Sequence, residues 1–313
     1  MVTGVAGFVG SHLVERLLEM GHPVVGVDNF FTGRRENMAS FEKDPSFEFL
    51  EADVTEPRLL ERLESSHPGM VNCFHLAAIV SVPYSMSHPD ETMEVNYRAT
   101  ARLLADADRL GLRSFIFAGS AAEYGDVQQI PLREEYATEG THHLSSYGRS
   151  KFLASREVAA NGRGVALRFF NIYGPRQDPK SPYSGVISRF IDMARRGEAL
   201  TIFGDGLQTR DFVYVSDVVD AYIRAAGLNG GNGVPHGIYN VGTGRSTTIL
   251  EIAEVIKEIC ASSADLEFLP ERPGDILHSL AAVDKFREAA GWSARAPLDA
   301  GLRKTIGVYP LNQ

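Results

Sequence analysis

Short apolar runs alternate with amphipathic segments through the first half of the chain. The segments between the runs carry apolar residues at helical spacing, most clearly over 91–110 and 145–160. Alternation of this kind predicts an α/β fold whose parallel sheet is covered by helices on both faces. The apolar runs have the length of buried strands and lie near residues 24–28, 47–50, 71–76, 115–119 and 164–169.

The pattern changes after residue 170. Proline and glycine cluster over 174–185, and the glycine-rich stretch 227–233 predicts a surface loop. A further amphipathic helix is predicted over 247–260. We therefore expect a Rossmann-type doubly wound parallel sheet followed by a smaller α/β substrate-binding domain.

Three glycines stand three residues apart at the start of the chain. Gly4, Gly7 and Gly10 lead into an amphipathic segment that predicts a helix. A glycine-rich turn lets backbone approach a pyrophosphate, and the N-terminus of the helix supplies oriented N–H groups and partial positive charge. This arrangement predicts a dinucleotide site at the first turn.

The residue that ends the next apolar run indicates which dinucleotide binds. Asp28 lies eighteen residues after Gly10, where a carboxylate accepts hydrogen bonds from adenosine ribose hydroxyls and repels a 2′-phosphate. We therefore predict NAD as the cofactor. Arg34 and Arg35 lie just beyond and leave NADP open as an alternative.

Tyr147 and Lys151 are four residues apart in a predicted helix, so they share one face of it. A nearby ammonium favours the phenolate and lowers a tyrosine pKa that starts near ~10. The pair therefore predicts proton transfer near neutral pH. Ser120 ends the run near 115–119, at the sheet edge where ligands bind, and is the predicted hydrogen-bonding partner of a reacting oxygen.

Composition excludes several classes of protein. The 313-residue chain has 31 basic and 40 acidic residues, a net charge of −9, with no basic tract, which argues against nucleic-acid binding. Cys73 and Cys260 share no metal-ligand spacing with the nine histidines, so no metal is predicted and a reducing cytoplasm is expected. We see no signal peptide and no apolar run of membrane length.

Taken together, these motifs resemble the extended short-chain dehydrogenase/reductases. Within that superfamily the chain resembles the UDP-hexose 4-epimerases, the UDP-glucose and UDP-N-acetylglucosamine 4-epimerase group. The resemblance runs nearly end to end. Besides the glycine triplet, Ser120 and the Tyr147/Lys151 pair, it rests on the runs at 75–78, 81–85, 168–178, 203–211 and 272–275.

The resemblance implies an interleaved domain organisation and a partner. Residues 1–169 and about 212–240 would form the NAD-binding Rossmann domain, and about 170–211 with 241–313 the nucleotide-sugar-binding domain. It further implies a homodimer in which the 91–110 and 145–160 helices pack against those of a second copy.

The resemblance also implies two sets of site residues. The NAD-binding set is Gly4, Gly7, Phe8, Val9, Gly10, Asp28, Asn29, Asp53, Val54, Leu76, Ala77, Ala78, Asn96, Tyr147 and Lys151. The set that binds a UDP-sugar is Ser81, Ser120, Ala121, Asn171, Val186, Thr201, Phe203, Arg210, Arg272, Asp275 and Ser279, with Tyr183 helping to close the pocket.

Within the second set, the roles differ. Guanidinium groups pair well with phosphate oxygens, and the resemblance assigns Arg210 and Arg272 to the diphosphate and Asp275 to the uridine ribose. The backbone around Thr201 and Phe203 would hold the uracil.

The activity implied is reversible inversion at C4 of a UDP-hexose through a transient 4-keto intermediate. Tyr147 would take the proton from the 4-hydroxyl, Lys151 would lower the pKa of Tyr147, and Ser120 would hydrogen-bond the same oxygen. The C4 hydride would pass to NAD and return on the other face of the sugar. The cofactor carries the hard chemistry, and the protein supplies position and electrostatics.

Related activities on the same scaffold remain alternatives. Sugar-nucleotide 4,6-dehydratases and UDP-glucuronate decarboxylases carry acid groups straight after the hydroxyl equivalent to Ser120. Here Ala121 and Ala122 stand there, and Glu123 is one residue out of frame, which argues against both classes. The run 30–34 does look decarboxylase-like, so that class stays in view beside a UDP-glucuronate epimerase. The intact Ser120, Tyr147 and Lys151 argue against a non-catalytic NAD-sensing regulator.

Ser279 bears on which sugar is accepted. In the family it resembles, a bulky aromatic at the matching position closes the pocket around C2, and a small residue leaves room for an N-acetyl group. We expect this chain to accept UDP-N-acetylglucosamine and UDP-N-acetylgalactosamine as well as UDP-glucose and UDP-galactose. The run 81–85, similar to that of N-acetyl-accepting members, favours the same interpretation.

The first strand is unusually short for its place. Only three residues precede Gly4, whereas a strand that feeds a glycine turn usually has ~5–6 residues. We expect a few upstream residues to belong to this strand, and neighbouring strands to carry unpaired backbone groups at that end without them.

Overall fold

Thirteen strands and eleven α-helices make up the computed structural model, which describes residues 1–178, 185–271 and 275–308. The strands are β1 (Val2–Thr3), β2 (Val24–Asp28), β3 (Phe47–Glu51), β4 (Asn72–His75), β5 (Ser114–Ser120), β6 (Gly164–Phe169), β7 (Asn171–Tyr173), β8 (Leu200–Phe203), β9 (Thr209–Arg210), β10 (Phe212–Tyr214), β11 (Gly237–Val241), β12 (Thr247–Thr248) and β13 (Leu266–Leu269). The helices are α1 (Phe8–Glu19), α2 (Leu59–Ser66), α3 (Val82–Ser87), α4 (Pro89–Met93), α5 (Ala99–Arg109), α6 (Ser146–Ala160), α7 (Val186–Arg196), α8 (Val215–Ala225), α9 (Ile249–Ile259), α10 (Asp284–Ala290) and α11 (Leu298–Val308).

Seven strands form one parallel sheet in the order β11-β6-β5-β4-β1-β2-β3. Every neighbouring pair in it is parallel. The chain winds outward from β1 to β3 and then returns to the other side of β1 to begin β4. Ligands of open α/β sheets bind at the carboxyl ends of the strands where the order reverses, so the turn after β1 lies at the expected place.

Helices cover both faces of this sheet, as the alternating pattern predicted. On one face, Leu13 and Leu17 of α1 pack with Val218 and Tyr222 of α8. On the other face, residues of α2, α5 and α6 form a second core that contains Leu63, Leu104 and Val158. The Rossmann-type doubly wound α/β fold is confirmed.

A smaller unit follows, built from three two-stranded sheets and the helices α7, α9 and α11. The sheets pair β7 with β10, β9 with β12, and β8 with β13. Its own core contains Phe190 of α7, Ile202 of β8, Ile252 of α9 and Leu302 of α11. The α9 helix begins with a capping box in which Thr248 and Glu251 satisfy each other's backbone N–H groups.

Part of the segment 241–313 packs on the main sheet instead of the smaller unit. Phe286 of α10 stacks against Tyr239 of β11, with ring centroids 5.7 Å apart, and against Trp292 at 5.3 Å. Both Phe286 and Trp292 belong to the core beneath α1 and α8. The helix α10 therefore packs on β11 of the main sheet, and the boundaries of the two domains stay a prediction.

The helix predicted over 91–110 is interrupted. A π-helical turn, Glu94–Arg98, joins α4 to α5 and directs Asn96 into the interior. The helix predicted over 145–160 agrees with α6 to within one residue, and Ser145 caps it by accepting a hydrogen bond from the Gly148 N–H at 3.0 Å. Among the described residues, no helix combines the length and the apolar character needed to cross a membrane.

The two-residue strand β1 is paired on both sides. Val2 lies opposite Gly26 of β2 and opposite Phe74 of β4. The amino group of Met1 donates to the Asn72 carbonyl at 2.9 Å, and the Met1 carbonyl accepts from the Phe74 N–H at the same distance. A groove of about 660 Å³ lies beside this end of the sheet.

A buried hydroxyl ties β1 to the end of β4. The Thr3 Oγ1 accepts hydrogen bonds from the N–H groups of Leu76 and Ala77, each at 3.1 Å, and lies 2.8 Å from His75 Nδ1. The other ring nitrogen of His75 lies 2.9 Å from Thr100 Oγ1. Burial lowers the pKa of His75 to about 3, so the ring is neutral at physiological pH. The loop after β4 is therefore fixed against the turn after β1.

Replacing Thr3 by valine should keep the shape of this side chain but leave the N–H groups of Leu76 and Ala77 without an acceptor. Because each buried donor left without a partner costs about 1–3 kcal/mol, we expect Thr3→Val to lose roughly 2 kcal/mol or more of unfolding free energy in urea. Thr305→Val is the matched control, since the buried Thr305 hydroxyl donates only to the Gly301 carbonyl one turn earlier in its own helix. Equal losses for the two variants would contradict this account of Thr3.

Candidate active site

The carboxyl end of β5 meets the first turn of α6. Ser120 is the last residue of β5, Tyr147 is the second residue of α6, and the Ser120 hydroxyl lies close enough to the Tyr147 phenol to lower the pKa of Tyr147 against the larger effect of burial. The helix approaches this closely because Gly148 has no side chain: a Cβ there would lie 2.5 Å from the Ala122 carbonyl oxygen. The Tyr147 N–H donates to Ser85 Oγ at 3.1 Å. The structure thus brings together the two residues predicted to act on one oxygen.

Lys151 lies one turn further along α6 and points back to β5. Its ammonium donates to the Ala118 carbonyl at 2.8 Å and lies 4.6 Å from the centroid of the Phe117 ring. The residue is only 2% exposed. Burial lowers the pKa of Lys151 to about 8, while the negative charge of Glu123 acts in the opposite direction.

Burial dominates the pKa of Tyr147 and raises it to about 12, the Ser120 hydroxyl lowers it in part, and the charge of Glu123 raises it further. The Lys151 ammonium donates to the Ala118 carbonyl, and its effect on the pKa of Tyr147 stays a prediction. Sharing a helix face placed the two side chains on the same side of α6 but did not pair them.

The turn after β1 has the geometry of a pyrophosphate cradle. Gly4 has a φ of +75°, and a Cβ on Gly10 would lie 2.0 Å from the Gly4 carbonyl oxygen. A Cβ on Gly4 would lie 2.9 Å from the Ala77 nitrogen, so the turn also lies against the loop after β4. The first N–H groups of α1, at Phe8 and Val9, have no partner within the helix by its geometry. Bare backbone and free donors at a helix N-terminus suit the diphosphate of a dinucleotide.

Asp28 ends β2 beside this turn. One carboxylate oxygen accepts from the Ala6 N–H at 2.9 Å and the other from the Phe30 N–H at 2.8 Å. Burial raises the pKa of Asp28, and these hydrogen bonds oppose the rise. The carboxylate therefore shapes the turn.

Two arginines near Asp28 made NADP an alternative cofactor in the sequence, and both form ion pairs with carboxylates. Arg34 forms an ion pair with Asp178, and Arg35 with Glu42 at 2.8 Å. A 2′-phosphate would have to displace a carboxylate from either guanidinium. This arrangement favours NAD over NADP.

Several residues predicted to bind the cofactor are buried or form hydrogen bonds within the protein. Asp53 accepts from the Asn29 amide at 2.7 Å and from Thr55, and Val54 is buried. Asn96 is fully buried, and its amide forms a two-way pair with the backbone of Ile79 at 2.8 and 2.9 Å. Such side chains fix the loops after β3 and β4. Leu76, Ala77 and Ala78 of the loop after β4 remain half-exposed beside the glycine turn.

Six of the predicted substrate residues line one cavity of about 220 Å³ between α7, β8 and β9. They are Asn171, Val186, Thr201, Phe203, Arg210 and Asp275. The same cavity is lined by Arg189 and Gln208, which the sequence analysis missed. Arg189 stands three residues after Val186 in α7, so helical spacing from Val186 was the signal that could have found it. The Gln208 amide donates to the Phe203 carbonyl at 2.8 Å.

Arg210 and Asp275 form an ion pair at the mouth of this cavity. Their closest atoms are 3.0 Å apart, and the Arg210 side chain is 15% exposed against 42% for Asp275. Burial lowers the pKa of Arg210, and Asp275 opposes that shift. The Arg210 guanidinium is partly desolvated, and its partner carboxylate is exposed. The guanidinium can therefore also donate hydrogen bonds to phosphate oxygens.

The other predicted substrate residues lie elsewhere. Ser81 caps α3 by accepting from the Tyr84 N–H at 2.9 Å, and Ala121 begins the 3₁₀ turn after Ser120. Ser279 is buried beside β9, where its N–H donates to the Thr209 carbonyl at 3.1 Å, and it does not line the 220 Å³ cavity. Arg272 and Tyr183 lie outside the described residues.

Comparison with known proteins decides the family. The model of the NAD dependent epimerase/dehydratase family matches residues 1–242. This protein belongs to that family. NAD is its cofactor, and the predicted resemblance to the extended short-chain dehydrogenase/reductases is confirmed.

Relatives of this family member differ in activity. UDP-glucose 4-epimerase of Mycolicibacterium smegmatis is 37% identical over 321 residues, covering 99% of this chain and 97% of the relative. UDP-glucuronic acid decarboxylase 1 of Danio rerio is 36% identical over 320 residues, covering 99% and 72%. The solved structure of UDP-N-acetylglucosamine 4-epimerase from Methanobrevibacter ruminantium, in complex with UDP-N-acetylmuramic acid, superposes with a TM-score of 0.89 at 33% identity, covering 98% and 96%.

The close packing at Gly10 predicts that a side chain at this position weakens NAD binding. Gly10→Ala should displace the turn after β1, because the added Cβ meets backbone instead of a flexible side chain. We expect NAD affinity to fall by roughly tenfold or more, about 1.4 kcal/mol, in isothermal titration. Gly307→Ala is the control, since a Cβ there meets nothing within 4 Å. Unchanged NAD affinity in Gly10→Ala would contradict the cradle.

Proposed function

We propose that this protein is a UDP-hexose 4-epimerase that inverts C4 through a transient 4-keto sugar. The observation that carries the proposal is the proximity of the Ser120 hydroxyl to the Tyr147 phenol at the carboxyl end of β5, followed by alanine at positions 121 and 122. The 37% identity to a UDP-glucose 4-epimerase along almost the whole chain supports the same activity.

Tyr147 and Ser120 act on the same atom, the C4 hydroxyl oxygen, in different roles. Tyr147, as phenolate, accepts the proton of the C4 hydroxyl and later returns it to the same oxygen once the configuration at C4 has been inverted. The Ser120 hydroxyl donates to the same oxygen and holds it while charge develops. Because the pKa of Tyr147 is raised to about 12, the phenol needs a further positive charge nearby to lose its proton at neutral pH. Bound oxidised NAD supplies that charge together with the capacity to accept and return a hydride.

The smaller unit would hold the nucleotide while the sugar turns. Arg210 at the mouth of the 220 Å³ cavity suits the diphosphate, and Thr201 and Phe203 border the space for uracil. Asn171 lies at the end of β7, where its side chain is exposed to the cavity. Its neutral amide suits a neutral hexose better than a uronate.

The environment of Glu123 argues against a dehydratase. That reaction needs an acid that can protonate a departing hydroxyl, and positions 121 and 122 are alanines. Glu123 is fully buried, and its carboxylate accepts from the Ser120 N–H, the Ser155 hydroxyl and Arg168. A carboxylate committed to three donors is not a free acid group.

A UDP-glucuronate decarboxylase is the second candidate. The run 30–34 resembles that class, and a decarboxylase of Danio rerio is nearly as similar as the epimerase. The two candidates differ in product: a decarboxylase releases CO₂ and a UDP-pentose from UDP-glucuronate, whereas the epimerase yields a UDP-hexose of equal mass.

We also propose that the protein is a homodimer formed through the outer faces of α5 and α6. A groove of about 500 Å³ there is lined by Tyr97, Phe152, Leu153 and Arg156. Leu153→Arg should sediment as a monomer at micromolar concentration, because a charge would be buried in the contact. Val71→Arg, at an exposed position away from this groove, is the control. Unaltered sedimentation of Leu153→Arg would defeat the dimer proposal.

Tyr147→Phe tests the activity. Purified protein is incubated with UDP-glucose, UDP-galactose, their N-acetyl counterparts and UDP-glucuronate, and the products are separated. We expect wild type to interconvert the hexoses, and Tyr147→Phe to lose ~10²–10⁴-fold in kcat because a general acid/base is removed. CO₂ release from UDP-glucuronate by wild type, with no hexose interconversion, would select the decarboxylase.

Ser279→Tyr tests the sugar range. Ser279 is buried and does not line the 220 Å³ cavity, so the added ring should reach C2 only where the sugar extends beyond that cavity towards Ser279. There it should lower kcat/KM for N-acetylated substrates by roughly tenfold or more, since steric exclusion in a pocket costs about 1–3 kcal/mol. Activity on UDP-glucose should be retained. Ser279→Thr is the conservative control. An equal loss on both kinds of sugar would refute the assignment of Ser279.

A further inference from the structure

A buried charge pair lies close to the Ser120–Tyr147 contact. Glu123 and Arg168 form an ion pair at 2.5 Å, and neither side chain has any solvent exposure. Breaking a buried pair by removing one partner is strongly destabilising, whereas replacing the pair by apolar groups often is not. Stability alone therefore does not explain why two charges are buried beside the proposed catalytic residues.

The Glu123 carboxylate joins three elements of the site. One oxygen accepts from the Ser120 N–H at 2.8 Å and from the Ser155 hydroxyl at 2.8 Å. The other accepts from Arg168 Nε. Ser120 ends β5, Ser155 lies one turn after Lys151 in α6, and Arg168 belongs to β6. A single side chain thus connects the backbone at the end of β5, the helix α6 and the neighbouring strand β6.

The surrounding residues are shaped to hold this carboxylate. A Cβ on Gly119 would lie 2.8 Å from a Glu123 carboxylate oxygen and 3.0 Å from the Ser155 hydroxyl, so only glycine leaves the space. Arg168 is fixed in turn by a hydrogen bond to the Glu134 carbonyl at 2.8 Å and by the Tyr124 ring, whose centroid lies 5.0 Å away. The Tyr124 hydroxyl donates to Asn240 at 2.6 Å.

We propose that Glu123 is a positioning residue for the epimerase chemistry: it fixes the backbone of Ser120 against α6 and places a negative charge near Tyr147 and Lys151. The proposal rests on the proposed function, because it concerns the same reaction. It gives a role in the reaction to Glu123, which lies outside the family motif of Ser120, Tyr147 and Lys151.

The charge acts in the same direction on both residues. It raises the pKa of Tyr147, and it raises the pKa of Lys151 against the larger effect of burial. The other titratable groups that face the pair are His75 near Lys151, which is neutral because its pKa is about 3, and Tyr222 near Tyr147, whose pKa is raised by burial. Glu123 therefore favours a protonated Lys151 and opposes the phenolate.

The test is the pH profile of Glu123→Gln. Glutamine keeps the shape and one acceptor oxygen but removes the charge, so both pKa values should fall. The rising limb of kcat/KM, set by Tyr147, and the falling limb, set by Lys151, should both move by about one pH unit to lower pH. Glu134→Gln is the matched control, because Glu134 is also a half-buried carboxylate near Arg168 but does not act on either residue.

A titration that does not use activity completes the test. The ultraviolet difference between each protein and its Tyr147→Phe counterpart reports the tyrosinate of Tyr147 alone, and its midpoint should fall in Glu123→Gln. If Glu123→Gln does not fold, the Glu123→Gln/Arg168→Met pair removes both buried charges, and its shift should have the same direction but a smaller size because the opposite charge of Arg168 is lost as well. A folded variant with a lower rate but unmoved limbs and midpoint would overturn the proposal. Absence of epimerisation by wild type would instead overturn the proposed function.

Discussion

The distance between the end of β5 and the first turn of α6 is the constraint on which the proposed chemistry depends. Ser120 and Tyr147 come from segments 27 residues apart in the chain, and they touch because Gly148 lets α6 lie against the turn after Ser120. Any side chain at that position would separate the hydroxyl from the phenol. The Lys151–Ala118 hydrogen bond and the Glu123 carboxylate then hold the helix and strand in register.

The cofactor end of the molecule is built on the same principle of close backbone approach. Gly4 and Gly10 allow the turn after β1 to fold on itself, and the Thr3 hydroxyl fixes the loop after β4 beside it. Asp28 closes the third side by accepting from Ala6 and Phe30. Three loops of the sheet edge are thus bound to one another before any ligand arrives, which is the preorganisation that tight cofactor binding requires.

Much of this arrangement could be predicted from local patterns. Apolar runs gave the strands of the main sheet, the glycine spacing gave the turn, and the family motif placed six substrate residues that share one cavity. What the patterns missed depends on tertiary packing. The π-helical turn that buries Asn96 against Ile79 and the docking of α10 on the main sheet both arise from packing between elements separated in sequence. The raised pKa of Tyr147 is the clearest case, because burial outweighs the spacing from Lys151 and no local signal reports burial of that phenol.

The most direct test of the central claim follows a deuterium atom at C4 of the sugar. UDP-glucose labelled at C4 is incubated with the purified protein, without added NAD, and the UDP-galactose formed is examined by mass spectrometry and NMR. If one oxygen and one carbon are acted on as proposed, the product retains the label at C4 with the opposite configuration. Loss of the label to solvent, or solvent hydrogen entering at C5, would contradict the account.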